Sequence, residues 1–199
     1  MRIIDVGIPT MKPYVEVKPL IEEVLVSAGC RVSVTATCHP ASAAENRNIC
    51  LDRARSDVLV MLDDDITGLP LGWVHRLDEV MARHPNCMMA SPRLLNPDGT
   101  PGIMVGNPTD GFVGCEVMPG REIVTACIAL RKTPVRFDEA YIGSGFEDND
   151  YCRQLRLFNP AAEFICVHDL EVTHLNEKKN QGGKWWDHNK AYFTAKWAK

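Results

Sequence analysis

No two of the eight cysteines, at positions 30, 38, 50, 87, 115, 127, 152 and 166, stand in a Cys-x-x-Cys spacing. That excludes a zinc knuckle or a redox pair of that kind, and several of these thiols sit inside apolar runs, where cysteine acts as a small hydrophobe. No window of about 18 apolar residues occurs, so no spanning helix is expected. The opening Arg2-Ile3-Ile4-Asp5-Val6 has no apolar signal core. These absences predict a cytoplasmic protein with free thiols, and leave peripheral membrane contact open. The chain also lacks an internal repeat, a domain linker and a charge bias, with 22 basic against 26 acidic residues and a net charge of -4. A general nucleic-acid-coating surface and a disordered chain are thereby excluded. The 199 residues suit one domain with a proper core.

The chemistry gathers at Asp57-Val-Leu-Val-Met-Leu-Asp-Asp-Asp-Ile66. Its apolar run Val58–Leu62 is short, partly β-branched and ends in acids, which predicts a buried strand delivering Asp63, Asp64 and Asp65 to a sheet edge. Three adjacent acids repel one another. In an extended chain Asp63 and Asp65 point to one side, where a shared divalent cation would cancel their repulsion. The bland alternative is an acidic turn after a core strand.

Alternating elements surround this stretch. Ile3–Ile8 reads as a strand; Lys18–Ala28 reads as a helix with Leu20, Ile21, Val24, Leu25 and Ala28 on one face; Arg31–Thr37 reads as a second strand. Ser42-Ala43-Ala44-Glu45 has the form of a capping box and opens a helix from Ala43 to about Arg55. Strands and helices in alternation predict a mainly parallel, helix-covered sheet that binds ligands beyond the strands' carboxyl ends. A helix follows from Pro70 to about His84, with Val74, Leu77, Val80 and Met81 inward, and Met88–Leu95 is extended up to the turn Asn96-Pro97-Asp98-Gly99.

From Gly99 to Gly120 six glycines interrupt the pattern, which predicts a flexible excursion over the site or an ordinary surface loop. Glu122–Leu130 then reads as a strand, and Glu147-Asp148-Asn149-Asp150 opens a helix with Tyr151, Leu155 and Phe158 on one face. Carboxylates in a first helical turn are also favoured by the helix dipole alone. Phe164–Val167 is a further strand, followed by an alternation of His168, Leu170, Val172 and His174.

Taken in order, Val6-Gly7-Ile8-Pro9-Thr10, Asn46-Arg47-Asn48, Leu59–Asp65, Asn96–Gly99, Phe137-Asp138-Glu139, Gly145–Leu155 and the terminal Asn189, Tyr192-Phe193 and Lys196-Trp197 resemble the nucleotide-sugar glycosyltransferases of the GT-A fold, most closely glycosyltransferase family 2. The resemblance implies a single α/β, Rossmann-like GT-A domain with helices on both faces of a mainly parallel central sheet. It divides the chain into a nucleotide-sugar-binding half (1–95), an acceptor-binding and catalytic half (96–175) and a C-terminal tail helix (176–199). It places Thr10, Asn46 and Arg47 at the nucleotide, Asp63 at the ribose or the metal shell with Asp64 beside it in the donor site, and Asp65 on a Mn2+ or Mg2+ ion. Asp148 takes the place of the catalytic base, Glu147 contacts the acceptor or donor sugar, and His174 resembles a histidine that some members add as a metal ligand.

The implied reaction moves a sugar from a nucleoside-diphosphate sugar, with a UDP-sugar as the first expectation, to an acceptor hydroxyl with inversion. The acceptor stays open among a glycan, a lipid-linked sugar, a protein and a modified nucleic acid, and a homo-oligomer is compatible. One departure stands out. Where many members end the second strand in Asp-Asp-Gly-Ser, whose acid grips the base, this chain has Thr37-Cys38-His39-Pro40-Ala41-Ser42. The alternatives are a catalytically silent sugar-nucleotide-binding module and a sugar-1-phosphate nucleotidyltransferase. The latter should carry a Gly- and Arg/Lys-rich loop where Pro9-Thr10-Met11-Lys12-Pro13-Tyr14 stands. The tail carries six lysines between 178 and 199, interleaved with Trp185, Trp186, Tyr192, Phe193 and Trp197. Those residues suit stacking on a base or sugar, binding a diphosphate, lying on anionic lipid, or docking a helix on the core.

Overall fold

A computed structural model describes residues 2–102, 115–117, 123–175 and 184–198. The strands are β1 (Ile4–Ile8), β2 (Val32–Ala36), β3 (Val58–Leu62), β4 (Ile66–Thr67), β5 (Cys87–Leu95), β6 (Cys115–Val117), β7 (Cys127–Arg131) and β8 (Glu163–His174). The helices are α1 (Tyr14–Ser27), α2 (Ala43–Arg53), α3 (Trp73–Arg83), α4 (Glu147–Phe158) and α5 (Trp186–Trp197). One sheet runs in the order β2-β1-β3-β7-β5-β8-β4, with β6 pairing β8 as well. Parallel pairings join β1 to β2 and β3, and β5 to β8; β7 runs antiparallel to both its neighbours, so β5 and β8 again point the way of β1. The short β4 and β6 lie antiparallel along β8.

Two cores form because each strand alternates between the two faces of the sheet. Val58, Val60 and Leu62 of β3 pack on one side with Val17 and Val24 of α1 and Trp73, Leu77 and Met81 of α3. Leu59 and Met61 pack on the other with Cys50 and Leu51 of α2 and Tyr151 and Leu155 of α4. The sheet is thus covered on both faces, as expected. All five residues of β3 are buried, which accounts for its unbroken apolar run.

Several expected boundaries and faces move. α1 starts at Tyr14, directly after Pro13, and contains Pro19. Leu25, expected inward, is exposed, and Val17 is buried on the same face as Val24 and Ala28. On α4, Phe158 is likewise exposed and Cys152 joins Tyr151 and Leu155 inside. β7 begins at Cys127 rather than Glu122. β8 runs on to His174 without a break, so His168, Leu170, Val172 and His174 all turn inward on one strand. Most of the glycine-rich excursion, from 103 to 114 and from 118 to 120, lies outside the described residues. No helix among the described residues is long and apolar enough to cross a membrane.

Candidate metal and donor site

The acids emerge where β3 ends. Strand alternation sends Leu59 and Met61 toward α2 and α4, so Asp63 follows them to that face, while Val60 and Leu62 face α1 and α3. A tight turn then reverses the chain, with Ile66 N donating to Asp63 O at 3.2 Å, and Ile66–Thr67 pairs with Thr173–His174 of β8. Leu175 N donates to Asp65 O at 3.0 Å. This reversal, rather than an extended run, brings Asp63 and Asp65 together and sets His174 beside them. One ligand atom from each of Asp63, Asp65 and His174 lies within 4.8 Å of the others, and His174 Nε2 is 3.2 Å from Asp65 Oδ1.

Arg47 of α2 binds this cluster to the start of α4. Its side chain is only 5% exposed; Nη2 donates to both oxygens of Asp63 at 3.1 and 3.2 Å, and Nη1 donates to Glu147 Oε1 at 2.8 Å. Nη1 also lies 3.8 Å from Asp148 Oδ1. Burial works against the guanidinium charge, yet Asp63, Asp148 and Glu147 outweigh it and raise its pKa above the ordinary value. One cation facing three carboxylates leaves local negative charge uncompensated. Burial pushes Asp63 up to about 6, against the pull of Arg47 and with help from Asp65 and Asp148. Burial and the neighbouring Asp148 push Glu147 up to about 8, again opposed by Arg47. Glu147 also accepts from Gly145 N, just outside the helix. Asp148 accepts from Thr125 N through Oδ2 at 3.2 Å, while its Oδ1 is buried without a hydrogen-bond partner.

A cleft of about 380 Å³ opens above the acids. Its lining includes Thr10, Asn46, Arg47, Asp63, Asp64 and Asp65, together with His174, Gly143 and Ser144. Every expected donor or metal residue therefore reaches one cleft. Asp148 and Glu147 lie behind Arg47 and are not part of the lining. Asp64 turns away from the metal cluster: it accepts from Thr10 Oγ1, and its Oδ1 accepts from Lys12 Nζ at 2.7 Å. Asn46 Nδ2 donates to the carbonyls of His39 and Ala41 at 3.1 Å and of Ser42 at 3.2 Å, holding the segment after β2 in place.

Sequence reasoning missed two participants. Lys12 is a lone lysine in a loop, with no pattern to mark it. Thr125 acts through its backbone, which no side-chain motif reveals. Lys184 and Trp185 also line the cleft, just ahead of α5. Both belong to the lysine- and aromatic-rich tail for which the sequence offered stacking or diphosphate binding.

No protein-family model and no curated protein matches this sequence. Among solved structures, a crystal structure of GalNAc-T7 with UDP, GalNAc and Mn2+ resembles it with a TM-score of 0.53 over 97% of this chain and 49% of that one. The two are 14% identical in sequence, so the likeness speaks for the fold, and this chain spans about half the length of that protein. The fold is GT-A-like.

The donor set fits a divalent ion. Two carboxylates and one imidazole within 4.8 Å offer hard oxygens and one nitrogen, a mixture suited to Mn2+ and acceptable to Mg2+. Both oxygens of Asp63 accept from Arg47, so Asp63 would share its carboxylate between the guanidinium and the ion.

Proposed function

We infer that the chain is a metal-dependent glycosyltransferase that moves a sugar from a nucleoside-diphosphate sugar to an acceptor hydroxyl. One observation carries the reading: the Asp63/Asp65/His174 cluster in the cleft and the Glu147/Asp148 pair behind its lining are joined by a single buried guanidinium, so a candidate base stands one side chain away from a metal site. The likeness to a protein whose structure holds UDP, GalNAc and Mn2+ supports it.

Asp65, His174 and Asp63 would hold the cation, whose contribution when bound is Lewis-acid neutralisation of the leaving diphosphate. Thr10, Asn46 and Arg47 shape the nucleotide end of the cleft. Asp148 serves as general base through Oδ1, since Oδ2 is occupied by Thr125 N. The acceptor O–H gives its proton to Asp148 as its oxygen bonds to the anomeric carbon, and the bond from that carbon to the diphosphate oxygen breaks. A single displacement of this kind inverts the anomeric centre. A positioned carboxylate contributes on the order of 10²–10⁴-fold to such a step. Glu147, held protonated into the neutral range by burial and by Asp148, positions Arg47 and does not compete as a base.

A silent sugar-nucleotide-binding module is the second reading, favoured by the withdrawal of Asp148 behind Arg47. Incubation with a panel of nucleotide sugars, acceptors and Mn2+, read as released nucleotide, separates the two. The expected result is release by the native chain, loss of donor binding in Asp65→Ala, and retained donor binding without turnover in Asp148→Asn. No release with any donor, while binding persists, would establish the module instead.

A further inference from the structure

The lining of the cleft is short of positive charge. A divalent ion on Asp63 and Asp65 would be neutralised by those two carboxylates, Arg47 is committed to Asp63, Glu147 and Asp148, and Lys12, outside the lining, is paired with Asp64. A sugar-linked diphosphate carries two negative charges into this site and leaves with one more when its bond to the sugar breaks. Among the described residues of the lining, Lys184 is the cation that holds no carboxylate; its Nζ sits 4.5 Å from the centre of the Trp185 ring.

The placement of these two residues is anchored. Asn189, fully buried one turn into α5, donates through Nδ2 to the carbonyls of Ile142 at 2.9 Å and Ser144 at 3.3 Å, and accepts from Ile142 N at 3.1 Å. Trp185 lies so close to Gly143 that a Cβ there would come within 2.8 Å of its Cδ1. The Gly143–Ser144 rim and the Lys184–Trp185 pair thus form one wall. Further along, Lys196 Nζ bonds Asp138 at 2.6 Å and Asp150 at 3.0 Å, which fixes the other end of α5.

We propose that Lys184 is the diphosphate-binding cation of the cleft, with Trp185 as the apolar wall beside it, and that α5 delivers both. This rests on the glycosyltransferase reading above. Lys184 strengthens its contact as the leaving group gains charge, so it serves departure as well as binding.

Calorimetry with UDP, GDP, CDP, dTDP and ADP in the presence of Mn2+, and with the parent nucleoside of whichever binds, tests the assignment. Lys184→Ala should weaken the diphosphate about tenfold or more, as expected for a charge-assisted contact, while leaving the nucleoside unchanged. Lys184→Arg should restore most of the affinity. Lys190→Ala, on the exposed side of α5, should match the native chain. Native-like diphosphate binding by Lys184→Ala, or an equal loss for diphosphate and nucleoside, would remove Lys184 from this role while the transferase reading survives. Absence of any nucleoside diphosphate binding by the native chain would remove both.

Discussion

Arg47 decides the electrostatics of the site. Its guanidinium is shared by Asp63, Glu147 and Asp148, so the charges around it do not cancel and Glu147 and Asp63 retain protons. Glu147 rises from the ordinary 4.5 to about 8, and Asp63 from 3.8 to about 6. In both cases the folded state holds a proton that the unfolded state has already lost. Stability in metal-free buffer should therefore fall as pH rises from about 5 to about 8. Urea unfolding at several pH values with EDTA measures this. Glu147→Gln, which keeps the shape and removes the titration, should flatten the upper part of the slope, and an unchanged slope would contradict the account. None of this was legible in the sequence. Asn46-Arg47-Asn48 was recognisable as a motif, but burial of the arginine and its three partners depends on where α2, β3 and α4 meet.

At the level of elements, local signals carried far where one force dominates. The Ser42–Glu45 capping box is present with both of its bonds, because it is a property of four adjacent residues. Val58–Leu62 was readable as a strand because a strand buried on both faces needs an apolar residue at every position. The pairing of Ile66–Thr67 with Thr173–His174 left no trace, since two residues are too few for a period and their partner is distant in the chain. The nearness of Asp63 and Asp65 was expected for a different reason than the one found. α5 offers a direct test of element docking. Asn189→Ala removes three bonds in a fully buried setting, which should cost about 1–3 kcal/mol. It should also speed hydrogen exchange at the Ile142 amide; native-like protection there would show that the other contacts hold the helix, such as Phe146 with Trp186 at 4.7 Å and Lys196 with Asp138 at 2.6 Å.

Across the whole molecule, the alternation of strands and helices gave the layered architecture, whereas the position of β7 could not be read from it. Helix packing on the side of α1 and α3 depends on a close backbone approach. Gly72 N donates to Ser27 O at 2.6 Å, and a Cβ on Gly29, whose φ is +72°, would stand 2.5 Å from Gly72 Cα. Gly29→Ala therefore combines a left-handed backbone with a clash against main chain, and should destabilise the fold by about 1–3 kcal/mol or more. Neither glycine lines the cleft, so donor binding per folded molecule should stay native. Denaturation and calorimetry on the same sample separate the two effects.

The antiparallel β7, from residues 127–131, is wedged between β3 and β5, two strands of the first 95 residues. A fragment ending near Asn96 would thus expose two unpaired strand edges where the intact chain has a continuous sheet. Segments from before and after Asn96 are interwoven in one sheet, so neither could be excised or exchanged as a working module. If the chain were split in the loop after β5, the pieces should remain insoluble or inactive alone and recover only on reassembly with each other.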